Sequence, residues 1–250
     1  TRAAPALAAL LREAEAGLRE AVRGNVAEHE RIAAWREAYR RFGAKPSEHR
    51  AAIEALARRV LKPDQLPSIN PLVDIGNIVS LRHLLPAGVH PLGVGENRLA
   101  LRHARAGDGF APPDGGPAEA PPGGEIVFAD GARVLTRRWT WRQAASTQTL
   151  PETTQVFFNI DGLPPTPREA VLAAMDDVRA LVREHTGGEV VAAQLLSAEQ
   201  PAMAWGRLGH RAEGMRGPRA RHWRFFPARP GPPPWPTASR KSSTPCKGRA

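Results

Sequence analysis

At 250 residues with a single cysteine, Cys246, the chain can bury a sizeable core and cannot form an internal disulfide. It has no run of about 18 apolar residues, which excludes a membrane-spanning helix, and a reducing, cytoplasmic setting is expected. The net charge of +10 suggests a nucleic-acid partner, but residues 207–250 hold eleven Lys/Arg against Glu213 alone, leaving the first 206 residues at 24 basic and 24 acidic. The body of the chain is therefore not a polyanion binder by net charge, and a local basic patch would have to do that work.

The opening stretch, TRAAPALAALLREAEAGLRE, has acids inside its apolar run and does not read as a signal peptide. Residues 4–22 are rich in Ala, Glu, Arg and Leu and predict a helix. In residues 27–42, Ile32, Trp35, Tyr39 and Phe42 recur at three and four residues, an aromatic stripe that predicts a second helix with a buried face. Ser47 is a candidate N-cap for a third, with Ile53, Leu56, Val60 and Leu61 buried. Asn70 as N-cap and Pro71 at the first helical position open a fourth, which Pro86 and Gly88 would stop. That helix carries Asn77, Ser80 and His83 among apolar residues. Buried polar groups of this kind must be satisfied by neighbours or by a ligand.

After Gly88 the period changes. Leu99, Leu101 and His103 alternate with Ala100 and Arg102 and predict a strand. Residues 106–124, dense in Pro and Gly, form a loop long enough to be functional or disordered. EIVFAD and RVLTRRW read as a hairpin turning at Asp130-Gly131, and QVFFNID as another strand. Thr166-Pro167-Arg168-Glu169 reads as a capping box opening a helix through His185, closed by Gly187 and Gly188. EVVAAQLL, residues 189–196, reads as a last strand. From about Pro201 the period collapses. That segment is read as a disordered tail or out-of-frame translation, the alternative being a Pro/Arg tail for RNA or a Pro-recognising partner.

Two stretches could carry chemistry. One is the polar side of the fourth helix. The other is TRRWTWRQ, where Trp139 and Trp141 would share one strand face and Arg138, Thr140 and Arg142 the other. Basic groups beside flat aromatics can stack a base and hold a phosphate; the alternative is two core tryptophans with solvated arginines between them. His83, His90 and His103 lack metal-ligand spacing, and no cysteine pair exists, so neither a metal nor a cofactor is expected.

NPLVDIGNIVSLRHLLPAG, GGEIVFADGARVLTRRWTWRQ and TLPETTQVFFNIDGL, in that order, resemble freestanding proteins built on the B3/B4 module, the editing domain in the beta subunit of bacterial phenylalanyl-tRNA synthetase. RIAAWREAYRRFGAKPSEHRAAIEALARRVL is similar to their helical lead-in, and the resemblance spans residues 28–200. It implies an α+β fold, a mixed β-sheet core with N-terminal and flanking helices and a disordered C-terminal tail. The implied division is a helical region at 1–62, a B3/B4-like domain at 63–200 and a tail at 201–250. In the synthetase the module removes wrongly attached tyrosine from the tRNA for phenylalanine. The implied function is a trans-editing hydrolase acting on the 3′ ester of mischarged tRNA, with the aminoacylated 3′ end of tRNA as partner and no membrane involved. Two alternatives stand beside it: a non-catalytic tRNA or amino-acid binding module, and a helical interaction protein docking through residues 1–62.

Carried over by position, the pocket asparagine of the family's D-I-x-N helix matches Asn77. The family's pocket histidine falls near Gly88, with His90 close but not aligned, and its pocket glutamate falls at Asn159. Its Gly-Gly wall falls near Trp141, Arg142 and Gln143. The resemblance thus implies Asn77 and Gln143 as catalytic residues, Gln143 orienting water and Asn77 with Ser80 meeting water or the ammonium group. Ser80, Arg82, Arg138, Trp139, Trp141 and Arg142 are implied as substrate-binding residues, the arginines for phosphate or developing charge and the tryptophans for the pocket wall or terminal adenine.

Overall fold

A computed structural model describes residues 5–63, 65–93, 95–96, 98–205 and 221–225. The chain is an α+β protein with a helical layer and two sheets. Helix α1 (Pro5–Ala21) buries Leu7, Leu11, Ala14 and Leu18 along one stripe, the spacing of an amphipathic helix. Helix α2 (Glu30–Arg41) buries Ile32, Trp35, Ala38 and Tyr39, so the aromatic stripe is core. Helix α3 (Ala52–Val60) follows, capped by Ala51 without a side-chain hydrogen bond. Ser47 is not its cap, because the residues around it form turns ahead of the helix.

Helix α4 (Pro71–His83) sits at the centre and touches α1, α3, α5 (Arg168–Thr186) and strand β1 (Ala87–Pro91). Asn70 Oδ1 accepts from Val73 N at 3.0 Å, and its Nδ2 donates to Thr149 O at 3.0 Å. One side chain thereby caps the helix and ties down a distant loop. Asp74 accepts from Ser68 Oγ and from Ile69 N, fixing the approach. The helix ends on Leu84, left-handed at φ 49°, not on a glycine; Gly88 lies within β1. Ser80 Oγ accepts from Ala87 N at 3.0 Å, so the polar group on this face aligns β1 under the helix. At Gly76 the helix passes close to β1, and a Cβ there would make an ordinary contact with Ala87 O at 3.7 Å.

Strand β1 pairs antiparallel with β6 (Val156–Ile160). The larger sheet runs β5 (Arg142–Gln143), β4 (Arg133–Arg137), β3 (Ile126–Asp130), β2 (Leu99–His103), β8 (Arg221–Phe225), β7 (Ala202–Trp205). Its pairs are antiparallel except β2 with β8. The β3–β4 hairpin turns at Gly131-Ala132 with Gly131 at φ 62°, a conformation that suits glycine. Alternation along β3 splits its side chains. Val127 and Ala129 face Phe110, Val134 and Ala144, while Phe128 faces Leu99, Leu101 and Leu135, backed by Phe157. No strand forms over 189–196, and β7 and β8 come from the segment in which the sequence shows no period; the rest of 201–250 lies outside the described residues. Helix α5 begins one residue later than its capping signal: Pro167 is the N-cap, and no side-chain cap forms. No helix among the described residues is long and apolar enough to cross a membrane.

The Pro/Gly-rich loop is anchored at both ends. Phe110 is 1% exposed and pairs with Glu119. The buried Arg102 guanidinium meets Asp108 at 2.6 and 2.7 Å and Gly131 O at 2.7 Å. Burial alone would raise the Asp108 pKa, but Arg102 and the Arg105 N–H hold it below the usual value. Removing one partner strands the other charge in the interior. Asp108→Ala is expected to lower stability by about 3 kcal/mol in urea denaturation and to open residues 106–124 to proteolysis. Replacing Arg102 and Asp108 together by leucine is expected to recover most of that loss.

Candidate functional site

The Arg/Trp segment leaves the sheet at Arg137. Arg138 (φ 46°) and Trp139 (φ 65°) are both left-handed, a conformation that costs an L-residue about 1–2 kcal/mol. The surroundings impose it. Trp139 N donates to Ile126 O at 2.8 Å, Arg138 N to Glu125 Oε1 at 3.1 Å, and Trp141 N to Arg137 O at 3.1 Å. The Thr140 hydroxyl meets Tyr39 Oη at 3.1 Å, and Thr140 O accepts from Ala52 N. The chain reverses, strand alternation stops, and the two tryptophans do not share an extended face.

Trp139 turns inward, edge-on to Trp35 at 5.0 Å. Trp141 stays half-buried, 4.6 Å from the His49 ring. Three guanidiniums surround the Trp141 ring: Arg138 at 4.5 Å, Arg142 at 5.8 Å and Arg137 at 5.9 Å. Their commitments differ. Arg137 is bound by both oxygens of buried Glu125 at 2.9 and 2.7 Å, and by Glu119; the Glu125 hydrogen bond raises its pKa against the opposing effect of burial. Arg142 is held at 2.8 Å by Asp114, whose side chain is 67% exposed. Arg138 has Glu125 only at 3.8 Å, and burial lowers its pKa, although a guanidinium remains charged at any working pH. His49 is also lowered by burial, then by Arg138, and its buried Nδ1 has no hydrogen-bond partner.

Beside this turn lies the corner formed by the β1–β6 pair and Asp161, which follows β6. Gly88 and Asn159 are cross-strand partners, and these are the two positions where the resemblance puts a histidine and a glutamate. The missing Cβ of Gly88 would stand 2.5 Å from Asn159 Oδ1 and 3.3 Å from His90 Nε2, so glycine is what lets the amide lie over β1. Asn159 Nδ2 donates to Asp161 Oδ2 at 2.9 Å, and Trp139 Nε1 donates to Asp161 Oδ1 at 3.2 Å. Asn159 Oδ1 is buried with no partner. Asp161 keeps some accessible surface while its carboxyl lies deep in protein, and burial outweighs the two hydrogen bonds to raise its pKa to about 6.

His90, also on β1, is 2% exposed and stacked at 5.0 Å on Phe157. Burial pushes its pKa down to about 3, so it is neutral throughout the physiological range. Gln143 Nε2 lies 3.1 Å from His90 Nδ1 and donates to Val89 O and Thr147 O.

The residues singled out from the sequence thus fall into separate groups. Arg138, Trp141 and Arg142 cluster on the turn, Trp139 joins Asp161, and Gln143 braces His90. Asn77 is half-buried on α4, next to Gly76 in sequence, and makes no side-chain hydrogen bond to the described residues. Ser80 is committed to the Ala87 backbone. Arg82 is turned toward α5, where it pairs with Asp177 at 3.0 Å beside His83. The sequence reading passed over Asp161, His49 and Glu125 as site residues. A signal for the first was present: Asn159 and Asp161, two apart at the end of a Val/Phe strand, place two polar groups on one face. Among the described residues no group of three or more His, Cys, Asp or Glu is arranged to hold a metal.

A family model described as the B3/4 domain matches residues 34–187, which takes in most of α2, all of α3 to α5 and the β1–β6 pair. No curated protein matches the chain.

Asp161 stabilises the fold while protonated, and that contribution is lost as pH rises through about 6. Asp161→Asn, which cannot ionise, is therefore expected to be as stable as the parent near pH 4. The gain should grow between pH 4 and 6 and level at about 1–2 kcal/mol above that, allowing for solvent screening; urea unfolding at pH 4 and pH 8 measures it. Gly88→Ala is expected to push Asn159 off Asp161, seen as an upward move of the Asp161 pKa in carboxyl NMR.

Proposed function

The chain belongs to the B3/4 domain family, which is linked to tRNA binding in the beta subunit of phenylalanyl-tRNA synthetase, and on that footing we propose that it hydrolyses the ester joining a wrong amino acid to the 3′ end of tRNA. The observation that carries this reading is the juxtaposition at Trp139. Near it in the chain the Trp141 ring is surrounded by guanidiniums, and its own indole N–H donates to Asp161, a buried carboxyl without an ion-pair partner among the described residues.

An aminoacyl ester is already activated, so placement of the substrate and water, with stabilisation of the developing oxyanion, supplies the catalysis without an enzyme nucleophile. Trp141 stacks the terminal adenine, the sequence-tolerant contact by which proteins hold single-stranded ends. Arg142 takes the phosphate by exchanging its exposed partner Asp114, and Arg138, the least committed of the three guanidiniums, faces the developing charge. The aminoacyl group enters the β1–β6 corner. Gln143 has its nitrogen committed to Val89, Thr147 and His90, which leaves its carbonyl oxygen to orient water. Asn77 acts from α4, which packs against β1. Ser80 and Arg82 act at one remove, by holding β1 and α5 against α4.

A binding module without turnover is the second reading. It is favoured by the Gly88–Asn159 pair, which puts no ionisable group at the two positions where the family resemblance has a histidine and a glutamate. Purified protein incubated with a panel of mischarged tRNAs separates the two. Ester release above the buffer rate supports the hydrolase; unchanged esters with retained tRNA binding support the module. Trp141→Ala is expected to weaken tRNA-end binding by roughly 10–100-fold, the worth of one stacked base. Arg142→Ala should flatten the salt dependence of binding by about one phosphate contact.

A further inference from the structure

Four buried carboxylates elsewhere in the protein are each answered by a guanidinium. Glu15 has Arg12 at 2.9 Å, Glu54 has Arg36 at 2.7 Å, Asp108 has Arg102 at 2.6 Å and Glu125 has Arg137 at 2.7 Å. Asp74, whose partners are neutral, sits in the first turn of α4, where the helix dipole favours an anion. Asp161 has neither kind of compensation. Its hydrogen bonds come from an indole and an amide, both uncharged, and it forms no ion pair with the described residues. The donor of one of those bonds, Asn159, has its own carbonyl oxygen buried without a partner in the same corner. The corner therefore holds one negative charge and one orphan acceptor, and nothing that donates from a cation. Leaving such groups unanswered is costly, and each carboxylate oxygen still has a lone pair to offer.

We propose that Asp161, with the Asn159 amide oxygen beside it, is a subsite for a primary ammonium group, the free α-ammonium of the aminoacyl ester. A –NH3+ group is compact and presents three donors. It neutralises the carboxylate and has donors for both acceptors in a small volume, whereas a neutral hydroxyl brings one donor and no charge. The consequence is selectivity for chemical state: an amino acid with a free amino group is accepted, and one whose nitrogen is acylated is refused. Refusal follows because acylation removes the charge and leaves Asp161 desolvated against an amide. A metal ion is a poorer occupant, because the described residues supply no third ionisable or thiol ligand there.

The inference takes the identity of the ester from the proposed function, but its test reads binding and does not require turnover. The probes are non-hydrolysable 3′-amide analogues of aminoacyl-adenosine, titrated calorimetrically into the full chain: alanyl, Nα-acetyl-alanyl and Nα-acetyl-lysyl. The alanyl analogue is expected to bind roughly tenfold or more tightly than its Nα-acetyl form, the worth of a charge-assisted hydrogen bond. Asp161→Asn is expected to erase that difference while both analogues still bind. Equal binding of the two alanyl analogues overturns the proposal even if mischarged tRNA is hydrolysed. Recovery of tight binding by Nα-acetyl-lysyl overturns the α-ammonium assignment in favour of a side-chain ammonium. Discrimination without hydrolysis of any tRNA ester leaves the subsite standing and removes the hydrolase.

Discussion

The left-handed pair Arg138-Trp139 is the constraint on which the rest depends. Two consecutive L-residues at positive φ do not persist unless the structure around them over-determines the turn. Here it does, through Glu125, Ile126, Tyr39 and Ala52. The reversal sends Trp139 into the space between the helical layer and the sheet, where it packs against both apolar clusters. Trp141 is left on the other side among its arginines. An extended chain through these residues would have placed both rings on one face. It would have joined neither the two cores nor the cationic edge to the β1–β6 corner.

Charge is distributed to match. Glu125 neutralises Arg137 with bidentate geometry and steadies the Arg138 backbone, so the turn is built on a satisfied ion pair. The cations next to it are progressively less committed, from Arg137 through Arg142, whose Asp114 partner is exposed, to Arg138. The β1–β6 corner reverses the pattern, with a carboxyl that has no ion-pair partner among the described residues. Compensated charge thus supports the framework, the loosely paired cations gather around Trp141, and the carboxylate without an ion-pair partner among the described residues is bonded to Trp139. Burying a carboxylate in this way works against stability, and such costs collect at sites where function needs them.

The long Pro/Gly loop connects these features. Its near end is locked by Arg102 and Asp108. Its far end places Asp114 and Glu119 over Arg142 and Arg137. A loop of this composition has no periodicity to read, yet it covers one face of the hairpin with Phe110 and sets which arginine can be exchanged.

Much of the fold was legible in the order of residues. The apolar spacings of α1, α2 and α5, the Asn70-Pro71 start of α4, the Gly131 turn and the Val/Phe strand β6 each state a local preference that the tertiary structure has no reason to override. The local signals that failed were those with a competitor. Ser47 and Thr166 are good caps in isolation, but the chain turns elsewhere, and residues 189–196 have strand composition without a partner edge. The site was legible only in part. Sequence marked Arg138, Trp139, Trp141, Arg142 and Gln143 as a unit by composition, and the resemblance marked the Gly88 and Asn159 positions. What the sequence determined alone was which groups were available and which local backbone they favoured. Tertiary structure alone decided that Trp139 faces Asp161, that Gln143 braces His90, that Ser80 and Arg82 turn to β1 and α5, and that Asp161 has no ion-pair partner among the described residues. The reason is physical: a side chain's charge state and partners depend on groups tens of residues away, brought close by packing that no local pattern encodes.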